Sequence, residues 1–251
     1  TAELNEELFR LEAELAAPIA ETVADALASD TRIPFDAAGV DGSIRLAGAR
    51  IDDLSLKRHF LTVDREEELR LLRPENAEYG YYASYYWLGE DGRALTGPNA
   101  EWTVVSGETL PPTSPVTLSL VQDGVEFQRE YMFTFTDTVR NVSGESRVLR
   151  PYGAVRRHGA WKGFLEATDP GSARASQIVH QGLIGVLDGE LKLRKYKGLS
   201  EGKGIKGGED GKITNEGGWQ GFTDKYWMGA LVPEQAREFT GDFFRRSSDE
   251  G

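Results

Sequence analysis

Histidines, paired carboxylates and two ring-rich stretches are the residues of this chain that could carry chemistry. The histidines are His59, His158 and His180, and no two are spaced i, i+4, so no helical metal pair is present. His158 sits beside Arg156 and Arg157. Two cations close in space would lower its pKa. Without a partner motif, each histidine reads as a strand-end or loop side chain. Asp52-Asp53 and the acids from Glu66 to Glu68 are the candidate acid/base pairs. Neighbours on a strand point to opposite faces, so Asp52 and Asp53 are not expected to share a proton. The pattern "GKGIKG" at Gly202, Gly204 and Gly207 matches a dinucleotide fingerprint. It is followed by turn-forming residues instead of the helix whose amides would hold a pyrophosphate, so it reads as a loop. No Gly-x-Ser-x-Gly elbow occurs. No catalytic residue, metal site or cofactor site is expected.

Two stretches concentrate aromatic rings. In "EYGYYASYYWLG", Tyr79, Tyr81, Tyr85 and Trp87 share one strand face, and Tyr82 and Tyr86 the other. Tyrosine is common where a groove meets water, which makes Tyr81, Tyr82, Tyr85 and Tyr86 a candidate binding surface for a sugar or peptide. The alternative is a strand buried on both sides. In "GGWQGFTDKYWMGALV", the two-residue period puts Trp219, Trp227 and Leu231 on one face and Phe222, Tyr226, Met228, Ala230 and Val232 on the other. Both faces are substantially apolar. Trp219, Phe222, Tyr226 and Trp227 are therefore expected to be the core of one strand covered on both sides.

Composition narrows the function classes. The chain has 251 residues and a net charge of −12. A phosphate backbone or an anionic membrane surface would on average be repelled, which argues against nucleic acid. Cysteine is absent, which excludes disulfides, thiolate catalysis and Cys-ligated zinc. No apolar run approaches the roughly 20 residues that span a bilayer. Any membrane attachment is therefore expected from segments outside this chain, which begins at Thr1 and reads as a piece of something longer.

The elements that must position these residues change near residue 30. Leu4, Leu8, Leu11 and Leu15 form a helical stripe with glutamates off it, Pro18 should stop that helix, and Ile19 to Leu27 suits a second. Residues 1–30 therefore read as an acidic helical linker. From Arg32 the period becomes two, as in "VEFQREYMFTFT", where Val125, Phe127, Tyr131, Phe133 and Phe135 share a face that Arg129 interrupts. Turn signals include Gln122 to Gly124, Asp41-Gly42, Asp91-Gly92, Asp188-Gly189 and Asp210-Gly211. "LKLRKYKGLS" reads as a strand with a solvated basic face. Residues 31–251 are expected to form an all-β, antiparallel sandwich with no long helix after residue 30.

The segment "GGWQGFTDKYWMGALVP" also resembles the signature of the large periplasmic domain of the YidC/OxaA membrane protein insertases of Gram-negative bacteria. Residues 42–57 ("GSIRLAGARIDDLSLK"), 66–87 ("EEELRLLRPENAEYGYYASYYW"), 150–159 ("RPYGAVRRHG") and 180–192 ("HQGLIGVLDGELK") are similar to further blocks in the family's order. The resemblance spans roughly residues 31–240. It implies a β-super-sandwich like that of sugar mutarotases, facing the periplasm at the inner membrane. It implies flanking membrane segments outside this chain, and final strands and a C-terminal helix beyond "FFRRSSDEG". It implies a non-enzymatic role, with SecDF, other Sec translocon components and nascent membrane proteins as partners. The competing reading from another class is a sugar-binding or mutarotase-like domain. That reading needs an acid and an imidazole converging in an aromatic-floored cleft, with His158, His180 and the tyrosine cluster as candidates.

Overall fold

The computed structural model describes residues 22–109, 114–132, 134–168, 180–198, 213–224, 227–241 and 243. The leucine stripe of residues 4–15, the glycine pattern of 202–207 and the Asp210-Gly211 turn lie outside these. The chain divides into two compact units, Thr1–Pro170 and Gly171–Gly251. All pairings between the strands are antiparallel. The all-β class read from the two-residue period is what the structure shows.

The first unit opens with a short helix, α1 (Val23–Ala28), capped by Thr22, whose hydroxyl accepts from the Asp25 amide at 3.1 Å. One four-stranded sheet follows in the order β1 (Arg32–Asp36), β2 (Val40–Arg45), β3 (Arg50–Phe60), β4 (Glu68–Leu72). Strand β5 (Tyr81–Leu88) pairs with the later β10 (Arg150–Arg157). A second four-stranded sheet runs β6 (Thr103–Ser106), β7 (Val116–Gln122), β8 (Val125–Tyr131), β9 (Phe135–Asn141). Helix α2 (Trp161–Thr168) ends the described part of the unit.

The core of this unit joins the two four-stranded sheets. Ile33, Phe35 and Ile44 from the first pack in one cluster with Val116, Leu118, Val125, Phe127 and Tyr131 from the second. Each fully buried side chain of this kind contributes about 1.5–3 kcal/mol. Along β8 the alternation is clean: Val125, Phe127, Arg129 and Tyr131 are buried, with Gln128 and Glu130 exposed between them. The Asp123-Gly124 turn has φ of 50° and 72°, the left-handed pair that a two-residue hairpin loop requires.

Several sequence expectations are corrected here. "VEFQREYMFTFT" is a hairpin and not one strand: Tyr131 pairs with Phe135, and the Met132 amide donates to Thr134 O at 2.8 Å. Asp41-Gly42 lies inside β2 and makes no turn. Helix α2 has only eight residues, consistent with the expectation of no long helix after residue 30. A Cβ at Gly163 would sit 2.3 Å from the Tyr79 hydroxyl, so close packing and not propensity sets this residue. Asp52 and Asp53 are both buried, against the two-residue period. The register of β2 on β3 shifts between Ser43 and Ile44, so Asp52 is an extra residue in the ladder.

The second unit has a sheet in the order β12 (Glu190–Lys195), β11 (Gly182–Leu187), β14 (Trp219–Thr223), β15 (Met228–Leu231), with a 3-10 turn at Tyr196–Gly198. A separate pair joins β13 (Ile213–Glu216) and β16 (Glu238–Gly241). The hairpin expected at Asp188-Gly189 is present, with φ of 56° and 70°. The basic strand is β12. The ring-rich stretch, expected as one strand, is a second hairpin. Thr223 pairs with Met228, and the Asp224 amide donates to Trp227 O at 2.8 Å. The reversal resets the alternation, which leaves Met228 and Val232 exposed. Trp219, Phe222 and Trp227 are half-buried, and Tyr226 lies outside the described residues. Glycine lets β14 and β15 approach closely, since a Cβ at Gly221 would lie 2.0 Å from Gly229 O.

Candidate functional site

Two buried centres in the first unit gather charged residues around a guanidinium, Arg129 in one and Arg50 in the other. The first is built on the β8–β9 hairpin. Arg129 and Asp137 are directly opposite in its register. Arg129 Nε donates to Asp137 Oδ1 at 2.6 Å and Nη2 to Oδ2 at 2.7 Å, a two-point pair. Nη1 donates to Ala49 O at 2.8 Å, and the Tyr131 hydroxyl donates to the same carbonyl. Ala49 holds a φ of 42°, a costly conformation for a residue with a Cβ, and these two donors secure it. Trp87 Nε1 donates to Asp137 Oδ2 at 2.8 Å. The guanidinium lies 4.9 Å from the Phe135 ring centroid and 5.2 Å from that of Trp102. Burial works to lower the Arg129 pKa, but the Asp137 hydrogen bonds and charge outweigh it, and the pKa is raised. Burial pushes the Tyr131 phenol up to about 12.

The second centre draws on distant parts of the chain. Arg50, on β3, reaches Asp52 Oδ2 at 3.2 Å and Glu75 Oε2 at 2.7 Å. Asp52 is also held by Arg32, and Asp53 by Arg70 and by the Ser43 hydroxyl at 2.8 Å. The Tyr82 hydroxyl donates to Glu75 Oε1 at 2.5 Å and lies 3.2 Å from His158 Nε2. The Arg50 guanidinium lies over the Tyr82 ring at 4.5 Å. Burial raises the Tyr82 pKa well above its ordinary value, and the Glu75 carboxylate adds to this. Burial works to raise the Glu75 pKa, but Arg50 and Tyr82 prevail and hold it low. Burial lowers the His158 pKa, as do Arg156 and Arg50, while Glu75 opposes. Of the two cations singled out in the sequence, Arg156 contributes, and burial is the larger cause.

The tyrosine cluster is corrected as a surface. Tyr81, Tyr82 and Tyr86 are buried, at 4%, 1% and 0% exposure, and Tyr85 is half-buried. Tyr81 meets Phe164 of α2 edge-on at 5.9 Å, and Tyr86 stacks on Tyr152 of β10 at 6.0 Å. Arg157 lies between the Tyr81 and Phe164 rings, 4.1 and 4.2 Å from their centroids. His59 is an exposed residue of β3. In the second unit, His180 Nε2 donates to Leu183 O at 2.9 Å. No group of three or more potential metal ligands occurs among the described residues.

A cleft of about 360 Å³ lies elsewhere in the first unit. Val23 and Leu27 of α1 and Leu61 after β3 supply apolar wall, and Glu67, Arg70 and Arg73 supply charge. Neither His158 nor Glu75 lines it, and the buried Tyr82 hydroxyl lies between their side chains. The Arg129 centre was missed in the sequence, where Arg129 was read as an interruption of an apolar face. An arginine on a strictly alternating buried face, with an aspartate eight positions on across a hairpin, was the available signal.

Such a molecule is an antiparallel β domain whose buried ionic groups mostly tie its own strands together. Residues 32–250 match the family model described as the YidC periplasmic domain, and the chain belongs to that family. It is similar to the membrane protein insertase YidC of Maricaulis maris (strain MCS10), 37% identical over 241 residues, covering 90% of this chain and 38% of the relative. The insertase YidC of Caulobacter sp. (strain K31) is 39% identical over 234 residues, 87% of this chain and 36% of its own length. That of Brucella suis biovar 1 (strain 1330) is 38% identical over 236 residues, with 89% and 36% coverage. The chain thus spans little more than a third of these relatives.

Proposed function

We propose that this chain is the periplasmic part of a membrane protein insertase and that it works by contact, without catalysis of its own. On this reading it stands at the Gram-negative inner membrane and faces the periplasm. It docks SecDF or other Sec translocon components, and segments of nascent membrane proteins. The observation that carries the reading is the family match across residues 32–250. It is supported by the acid–phenol–imidazole set of Glu75, Tyr82 and His158, which is hydrogen-bonded within the interior and does not face the cleft. The ring-rich hairpin of β14 and β15 serves in this view as scaffold and not as a working surface.

Strand β6 offers a place for an extended segment. It ends its sheet, and Val104 and Val105 are 44% and 59% exposed. An added strand would satisfy its outer backbone groups. The test is a photo-crosslinking residue at Val105 in the full-length insertase, expressed in native membranes. Reproducible capture of SecDF or of a nascent chain is expected. A domain that is only a spacer would capture no partner reproducibly, and a mutarotase-like domain would instead bind monosaccharides in calorimetry.

A further inference from the structure

We infer that the cleft between α1, β4 and α2 binds a short acidic and apolar motif of a partner protein, its carboxylate seated on Arg73 beside Arg70. This deepens the docking reading above by naming a second place and its chemistry. Arg73 is anchored by its backbone, whose amide donates to Tyr81 O at 2.8 Å and whose carbonyl accepts from the Tyr81 amide at 3.0 Å. Its Nε is buried and has no hydrogen-bond partner among the described residues. A buried donor left unpaired is costly, so a carboxylate there gains a charge-assisted bond that the free protein lacks.

The electrostatics point the same way. Arg73 is disfavoured first by burial and then by Arg70, with Glu78 and Glu67 opposing. Arg70 itself is held on Asp53. An incoming carboxylate would offset the repulsion between the two guanidiniums. Although the chain carries a net charge of −12, two of the three charged residues lining the cleft are arginines, and this local excess favours a carboxylate-bearing occupant. The apolar wall of Val23, Leu27 and Leu61 adds a place for an aliphatic side chain. At about 360 Å³ the cleft is near the small end of ligand clefts, which suits a few side chains and not a whole helix.

The test uses the 251-residue chain and a short fluorescein-labelled peptide of alternating leucine and glutamate, with its glutamine counterpart. Fluorescence anisotropy should show the glutamate peptide binding about tenfold more tightly, the preference fading with salt. Arg73→Gln should remove the preference with the unfolding temperature unchanged. Where that variant is destabilised, a photo-crosslinker at Leu27 supplies the reading, and it should capture the glutamate peptide only. Equal binding of both peptides, or a preference that survives Arg73→Gln in a folded protein, overturns the inference. Binding only after removal of residues 1–21 would assign the cleft to the chain's own acidic leader, and binding only as a dimer to a second copy. Either result overturns the partner motif. None of these outcomes touches the capture experiment at Val105, so the two proposals fail separately.

Discussion

Arg129 and Arg50 are two buried guanidiniums in one unit, each over an aromatic ring, and they are built differently. Arg129 meets one carboxylate in a two-point pair and one strained carbonyl, and none of its nitrogens is without a partner. Its acid partner is the residue directly opposite on the next strand. Arg50 divides itself between Asp52 and Glu75, and its Nη1 has no hydrogen-bond partner among the described residues. Its network runs on through Tyr82 to His158, 76 positions away from that tyrosine. The first centre is a local fastening written into a hairpin register. The second is a long-range tie that includes a group able to titrate near neutral pH. Of the two, only the second should respond to pH near neutrality.

The largest expected effect is at the first centre. Asp137→Asn leaves Arg129 buried without its counter-charge, which should cost about 3–5 kcal/mol in urea unfolding. Arg129→Met with Asp137→Val removes both charges and should recover most of that loss, since rings already surround the site. Glu75→Gln should cost less, because Arg50 keeps Asp52. If Asp137→Asn and Glu75→Gln cost the same, the proposed difference between fastening and tie is wrong.

How much of this was legible in the sequence follows the same line. The alternation of Val125, Phe127 and Tyr131, and the Asp123-Gly124 and Asp188-Gly189 turns, depend on neighbours within a few residues, and they were read correctly. The family resemblance was carried by blocks such as residues 42–57 and 217–233, and the family match covers both. Two-residue counting failed where the chain reversed without a strong signal, at Tyr131–Phe135 and at Thr223–Met228. It failed again at Asp52 and Asp53, where a register shift inserts a residue. The local pattern left a binding surface and a strand buried on both sides as alternatives for Tyr81, Tyr82 and Tyr86, and the choice between them depends on β10 and α2, more than 60 residues on. The Glu75–Tyr82–His158 set was invisible for the same reason.

A middle-sized effect should sharpen the second centre. Tyr82→Phe keeps the ring beneath Arg50 and removes only the hydroxyl shared by Glu75 and His158. The loss should be about 1–2 kcal/mol, more than for an exposed hydroxyl, because two buried groups lose a partner. A double-mutant cycle with His158→Gln should show coupling. The same cycle between Tyr82→Phe and Asp137→Asn should be additive, and coupling there would merge the two centres into one.

The smallest effect, and the one that separates the centres most directly, is in pH. His158 has its folded pKa depressed below the ordinary 6.5, with burial the leading cause. The unfolded chain therefore binds more protons in the window between the two values. The stability from keeping His158 neutral is full above 6.5 and is lost as pH falls through the folded value. Tyr131 behaves oppositely. Its pKa rises from 10.0 to about 12, so its contribution is full below 10.0 and is lost as pH climbs toward 12. Unfolding temperatures measured across pH should show both limbs. His158→Gln should flatten the mildly acidic limb and leave the alkaline one intact, and Tyr131→Phe should reduce the alkaline limb, to which the raised Tyr82 also contributes, and leave the acidic one intact. The effect per group is bounded by about 1.4 kcal/mol for each unit of displacement. An acidic limb between neutrality and the folded pKa that persists in His158→Gln would place the titration elsewhere, and the Arg50 tie would then be as indifferent to mild acid as the Arg129 fastening.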